Sequence, residues 1–288
     1  MQLTAQQTSV VRDVRLALGK SDFAAAQQAL DTAKKEGGVT PRWLEAHSWM
    51  GRGYLAAKKL NEADKSAAET RAMALTMLKG RKLDDDKALP TALGASIEVQ
   101  AQVLEARGQR SEAVAFLQEE VKRWQGTSIV ARLQKNLHLI SLVGKPAPAL
   151  AMKEYLGQAP PSLASLKGKK VLLFFWAHWC GDCKAMAPTV ARLKQEFPQL
   201  VVIGPTQPYG YVARGEEATR DVEIRYIDEI RKKFYSAIDG LLVPVSEENF
   251  RQWGASTTPT VAVIDAAGIV RLYHPGQMSY EELLPALK

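Results

Sequence analysis

The chain carries only two cysteines, Cys180 and Cys183, three residues apart and directly behind the apolar run Val171 to Ala177. A small secreted scaffold stapled by disulfides needs many more. A structural zinc site needs four ligands, of which a CxxC pair supplies two. The four histidines (His47, His138, His178, His274) are scattered and no second CxxC is present. The pair is therefore read as a working dithiol. A buried strand is expected before it and a helix after it, so Cys180 falls at a helix N-terminus, where the macrodipole and unpaired backbone N–H groups favour thiolate over thiol. Cys183, one turn in, lies within disulfide reach. Cys180 is thus the expected nucleophile and Cys183 the resolving thiol.

The rest of the chain separates into two kinds of sequence. Up to about Ser141 it is rich in Ala, Leu, Gln, Lys and Glu, with apolar residues at three- and four-residue spacings, which predicts an all-α domain over residues 1–141. His47, Met50, Gly51, Tyr54 and Ala63 fall at the offsets of the tetratricopeptide pattern, with His in place of the aromatic and Ala67 in place of the later one. Weaker echoes begin at Gly19 and Gly108, with anchoring alanines Ala24 and Ala113, and Lys79 to Pro90 reads as an inserted loop. The expectation is a TPR-like stack of helical hairpins, with an irregular bundle as the alternative. Trp43, Trp49 and Tyr54 are read as packing residues.

The stretch Val143-Gly144-Lys145-Pro146-Ala147-Pro148 denies helix and marks a boundary. Beyond it, strands at Val171 to Trp176, Leu200 to Ile203, Thr260 to Ile264 and Ile269 to Tyr273 alternate with helices at Asp182 to Phe197, Val222 to Ala237 and Tyr280 to Leu287. This predicts an α/β domain over residues 142–288. The formal net charge of +7 is thinly spread in short runs flanked by acids or glycine. It gives no reason to expect a nucleic-acid partner. The longest apolar run is far short of the ~20 residues of a membrane-spanning helix, so no transmembrane segment is expected. The N-terminal residues lack the pattern of a signal peptide, which leaves localisation open.

The motif Phe175-Trp176-Ala177-His178-Trp179-Cys180-Gly181-Asp182-Cys183-Lys184-Ala185-Met186-Ala187-Pro188 resembles the active-site stretch of the thioredoxin superfamily. Gly144 to Pro148, Leu166 to Lys170, and Thr257-Thr258-Pro259-Thr260 before Val261 to Gly268 resemble its TlpA/ResA branch. The resemblance implies a thioredoxin fold over roughly residues 143–288 and a cis proline at Pro259 beside the dithiol. It further implies that the backbone of Thr258 docks substrate, Trp179 shields the dithiol, and Gly181 and Asp182 tune it. It implies a thiol-disulfide oxidoreductase, a reductant, acting on protein disulfides and recharged by an upstream thiol donor. No cofactor beyond the Cys180/Cys183 pair is implied, and the site of action is periplasmic or otherwise extracytoplasmic. The helical domain is expected to recruit a protein partner. The alternative is a helical interaction scaffold whose dithiol is a redox sensor or copper-binding pair. A peroxiredoxin would carry Pro and Thr or Ser where this chain has Leu173 and Ala177.

Two departures from the family bear on mechanism. Phe174 stands where thioredoxins carry a buried Asp, and Met186 where ResA-like members carry a Glu. Neither usual proton acceptor for the resolving thiol is present. The long segment Pro205 to Ala237 brings Tyr209, Tyr211 and Arg214, read either as lining a substrate groove or as packing. His178 is read as a surface residue and Trp176 as core.

Overall fold

A computed structural model describes residues 5–288, with side chains from Val10 onward. The chain divides into two compact units, one running to Asn136 and the other from Leu137 to Lys288. The division lies inside a helix rather than at the Pro/Gly-rich stretch after Ser141.

The first unit is wholly helical among the described residues: α1 (Ala5–Gly19), α2 (Phe23–Gly37), α3 (Pro41–Ala56), α4 (Leu60–Met77), α5 (Leu89–Ala106), α6 (Arg110–Arg123) and the start of α7 (Val130–Ser141). Local chemistry sets the helix ends. Asp22 accepts the N–H of Ala25 to cap α2, and Thr40 accepts that of Trp43 to cap α3, whose first residue is Pro41. Gly108 ends α5 with φ +78, a conformation side-chain-bearing residues rarely adopt.

Gly51 faces α4 closely: a Cβ there would lie 3.6 Å from the Ala63 carbonyl and the Ala67 amide, in ordinary van der Waals contact, so the site leaves room for little more than a methyl. His47, at the position usually aromatic, is buried with Nδ1 2.8 Å from Thr70 Oγ1. That hydroxyl donates to the Ser66 carbonyl, which leaves it a lone pair for the imidazole N–H. Ala24 is exposed, and the buried residues of α2 are Ala26 and Leu30. The segment expected as a loop holds one 3₁₀ turn, Leu83–Asp85.

A partly buried charge cluster joins α5 to α7 within this unit. Glu98 Oε2 accepts from Arg132 Nε at 2.8 Å and Asn136 Nδ2 at 3.1 Å, with Lys135 Nζ at 3.6 Å; its side chain is 16% exposed. Burial alone would raise the Glu98 pKa, but the charges of Arg132 and Lys135 and these hydrogen bonds outweigh it and hold it at about 2. A carboxyl depressed in the folded state stabilises fully above its unfolded pKa of ~4.3 and loses that contribution as pH falls towards the folded value. Glu98→Gln should therefore cost on the order of 2 kcal/mol at pH 7 and flatten the stability profile between about pH 4.5 and 2. Urea midpoints at pH 3, 5 and 7 measure this. An unaltered acid limb in the variant would contradict it.

The second unit is built on a four-stranded sheet of order β3-β2-β5-β6, formed by β2 (Val171–Phe175), β3 (Val201–Ile203), β5 (Thr260–Ile264) and β6 (Val270–Pro275). The pair β2/β3 is parallel; β2/β5 and β5/β6 are antiparallel. A side ladder pairs β1 (Tyr155–Leu156) with β4 (Val243–Pro244). The helices are α8 (Gly181–Glu196), α9 (Arg220–Phe234), α10 (Glu247–Gln252) and α11 (Tyr280–Leu287). Every residue of β2 is buried, as a central strand covered on both faces requires. Leu172 and Phe174 enter one core with Met186 and Val190 of α8, Ile227 and Ile230 of α9, and Leu283 of α11. Val171, Leu173 and Phe175 enter the opposite core with Phe250 and Trp253.

Candidate active site

The register places the site. Phe175, the last residue of β2, pairs with Thr260, the first of β5. The turn that follows β2 and the Thr258-Pro259 segment that precedes β5 therefore lie at the same end of the sheet. The Thr258–Pro259 peptide bond is cis and Pro259 is buried. Trp176 is core, as expected: its backbone N–H donates to the Pro205 carbonyl at 3.1 Å, and its indole N–H donates to the Gly204 carbonyl at 2.9 Å. The segment after β3 is thereby fixed against the start of the active-site turn.

Cys180 and Cys183 are joined in a disulfide. Cys180 is the N-cap of α8, and its Sγ accepts the Cys183 N–H at 3.0 Å. In the reduced state an N–H aimed at that sulfur favours the thiolate. Cys180 retains 3% of its surface and Cys183 none, so the Cys180 side is the more accessible of the two. Gly181 and Asp182 are exposed in the first turn, and the Asp182 carbonyl accepts from Gln277 Nε2 at 2.9 Å. The Lys184 ammonium stands 4.9 Å from the Phe234 ring centroid, and desolvation, followed by the charge of Lys233, lowers its pKa. Trp179 is 48% exposed beside the cysteines. Thr258 is partly buried.

Phe174 and Met186 are buried apolar side chains, Phe174 edge-on to Tyr235 at 5.9 Å between centroids. A buried carboxylate reaches the active-site turn from α9. Glu223 and His178 are each 1% exposed at the side chain, and His178 Nε2 lies 3.1 Å from Glu223 Oε1. The surface reading of His178 is thus wrong: the residue points inward because a tyrosine cluster and a carboxylate receive it. Tyr209, Tyr211 and Tyr226 stand edge-on to its ring at 5.7, 5.3 and 5.4 Å. Glu223 also accepts the backbone N–H groups of Tyr209 and Gly210, the latter at 2.8 Å. Burial lowers the His178 pKa against the opposing effects of the hydrogen bond and charge of Glu223, so at neutral pH the ring is a neutral donor. Arg214 is exposed at φ +57. Among the described residues no group of three or more His, Cys, Asp or Glu side chains is placed to hold a metal ion.

A family model described as a thioredoxin-like domain matches residues 161–288. Residues 161–288 are a thioredoxin-like domain. Similar proteins include the thioredoxin-like protein YneN of Bacillus subtilis, 26% identical, covering 49% of this chain and 75% of that protein. The thiol:disulfide interchange protein DsbE of Xylella fastidiosa is 28% identical, with 51% and 70% covered. The thiol-disulfide oxidoreductase ResA of Oceanobacillus iheyensis is 35% identical over 98 residues, 33% of this chain and 47% of that one. Among solved structures, the exposed lipoprotein thioredoxin Etrx1 of Streptococcus pneumoniae is 30% identical over 44% of this chain and 89% of its own, with a TM-score of 0.36. Homologues of the thioredoxin-like domain are thus named thiol-disulfide oxidoreductases and interchange proteins.

Proposed function

We propose that the protein is a thiol-disulfide oxidoreductase that reduces protein disulfides through Cys180 and Cys183. The observation that supports this most directly is the Cys180 sulfur at the N-cap of α8, receiving the Cys183 N–H while Cys183 is sealed beneath it. In the reduced enzyme the Cys180 thiolate attacks one sulfur of a substrate disulfide, forms a mixed disulfide and expels the other sulfur as a thiolate. Cys183 then gives up its proton and attacks Cys180 Sγ, which expels the second substrate thiolate. The substrate gains two electrons and its thiolates take up protons; the enzyme ends as the disulfide, and an external dithiol must reduce it again. In this reading Thr258 and Pro259 present backbone to the substrate chain and Trp179 covers the dithiol beside it. The TlpA/ResA resemblance supports action outside the cytoplasm, which fractionation of cells making the full-length protein would test. The helical unit is read as the surface for a protein partner, and a pull-down that returned no bound protein would remove that part.

The test of the activity is insulin reduction with dithiothreitol: the protein should accelerate precipitation well above the dithiothreitol background, and no acceleration would overturn the reading.

Asp182 is read as a tuning residue. Its carboxylate interacts well with the helix dipole but poorly with a thiolate two residues away, whereas the Lys184 ammonium is engaged with Phe234. Asp182→Asn should lower the midpoint of Cys180 alkylation by roughly half a unit, the scale of a solvent-screened interaction with an exposed carboxylate. Iodoacetamide rates across pH 5 to 9 read this directly, and an unchanged or raised midpoint would contradict it.

A further inference from the structure

The geometry points to His178 and Glu223 as positioning residues that latch the tyrosine-bearing segment after β3 onto the active-site turn, building an aromatic shelf beside Cys180 for an apolar side chain of a substrate polypeptide. This rests on the oxidoreductase reading and deepens it.

His178 lies two residues before Cys180, on the turn itself. Glu223 lies in the first turn of α9, and the segment at Tyr209 and Gly210 precedes that helix. One carboxylate therefore gathers three strands of chain. Its Oε1 faces His178 Nε2 and the Tyr209 N–H, and its Oε2 faces the Gly210 N–H. An ionised carboxylate only accepts, so Nε2 carries the ring proton and the pair is fixed as donor and acceptor. Two backbone donors and an imidazole donor compensate a buried charge that would otherwise be costly to hold. Such a cluster is rigid, because releasing any one donor leaves the carboxylate short of a partner in a water-poor site.

The cluster holds an aromatic surface in place. Tyr209 stands edge-on both to the His178 ring and to the Trp179 indole, the latter at 5.5 Å, and Tyr211 lies 6.2 Å from Tyr209. The Trp179 indole, 48% exposed, is the outward end of this row. An exposed indole backed by an edge-on tyrosine is the surface that buries an apolar or aromatic side chain with little loss of conformational entropy, since the rings are already fixed. The substrate class that fits is a polypeptide with an apolar residue next to its disulfide, rather than a small polar disulfide.

The experiment compares insulin with bis(2-hydroxyethyl) disulfide, which has no apolar side chain, using full-length wild type, Glu223→Gln, Tyr209→Ala and Tyr209→Phe. Glu223→Gln removes the charge and replaces one acceptor oxygen by a donor, so it breaks the latch at nearly constant volume. Tyr209→Ala removes what the latch holds while leaving the buried pair. Both should raise KM for insulin about tenfold, with the loss carried by KM rather than kcat, and lower the ratio of insulin to small-disulfide efficiency by a similar factor. Tyr209→Phe, which keeps the ring, should restore the wild-type KM. An insulin KM unchanged in Tyr209→Ala, or equal losses on both substrates, would overturn the inference even if Glu223→Gln failed to fold. Wild type inactive on insulin would instead overturn the oxidoreductase reading beneath it.

Discussion

Cys183→Ser is expected to freeze the protein in mixed disulfides through Cys180, and Cys180→Ser to abolish both trapping and insulin reduction above background. The asymmetry follows from burial and from the helix end. Cys180 is the sulfur with remaining exposed surface and the one that receives a backbone N–H, whereas Cys183 has no exposed surface. A thiolate is the attacking species and a serine hydroxyl at neutral pH is not, so removing Cys180 removes the first step. Removing Cys183 leaves the first step intact and takes away the only thiol placed to complete the second, these being the two cysteines of the chain. Mass spectrometry of the adducts formed by Cys183→Ser in a native extract would name the substrates. Equal trapping by Cys180→Ser would reverse the assignment of roles.

Trp176→Ala is expected to be the most destabilising single truncation near the site. Trp176 is fully buried, its ring lies 4.6 Å from Tyr235, and its indole N–H satisfies the Gly204 carbonyl. Truncating a buried Trp leaves a large cavity and costs ~3 to 5 kcal/mol, to which the unsatisfied carbonyl adds. For a unit of this size that corresponds to a fall in Tm of the order of 10 °C. Trp176→Phe should lose far less, because it keeps most of the apolar volume and forfeits mainly the hydrogen bond. Urea or thermal denaturation of the two variants decides it, and a cost below ~1 kcal/mol for the alanine variant would show that the cavity collapses.

The chemistry of the dithiol was written in local sequence, and for a physical reason. A strand of five buried residues, a turn and a helix N-cap are contiguous, so Val171 to Cys183 alone determine that one sulfur sits at a helix end and the other one turn below it. The helical character of the first unit followed from a 3.6-residue period, and the central strands of the second from short continuous apolar runs, the pattern of strands buried on both faces. The short β1/β4 ladder and the six-residue α10 escaped that reading because two or six residues carry too little period to be seen.

Tertiary structure alone decided what surrounds the sulfur. The sequence shows that the usual acids are replaced by Phe174 and Met186, but it gives no sign that Glu223, 45 residues from His178, is folded against it. A lone histidine beside an exposed tryptophan looks solvated from composition. It is buried because the segment from Gly204 to Thr219, held by the Trp176 contacts, brings Tyr209 and Tyr211 over it, and α9 adds Tyr226 and the Glu223 carboxylate. Pairings of this kind are set by chain crossings between distant elements, where each partner satisfies a polar group that only the fold has taken out of water. Local propensity determined where the reactive sulfur stands; the burial of polar groups between elements determined what stands beside it.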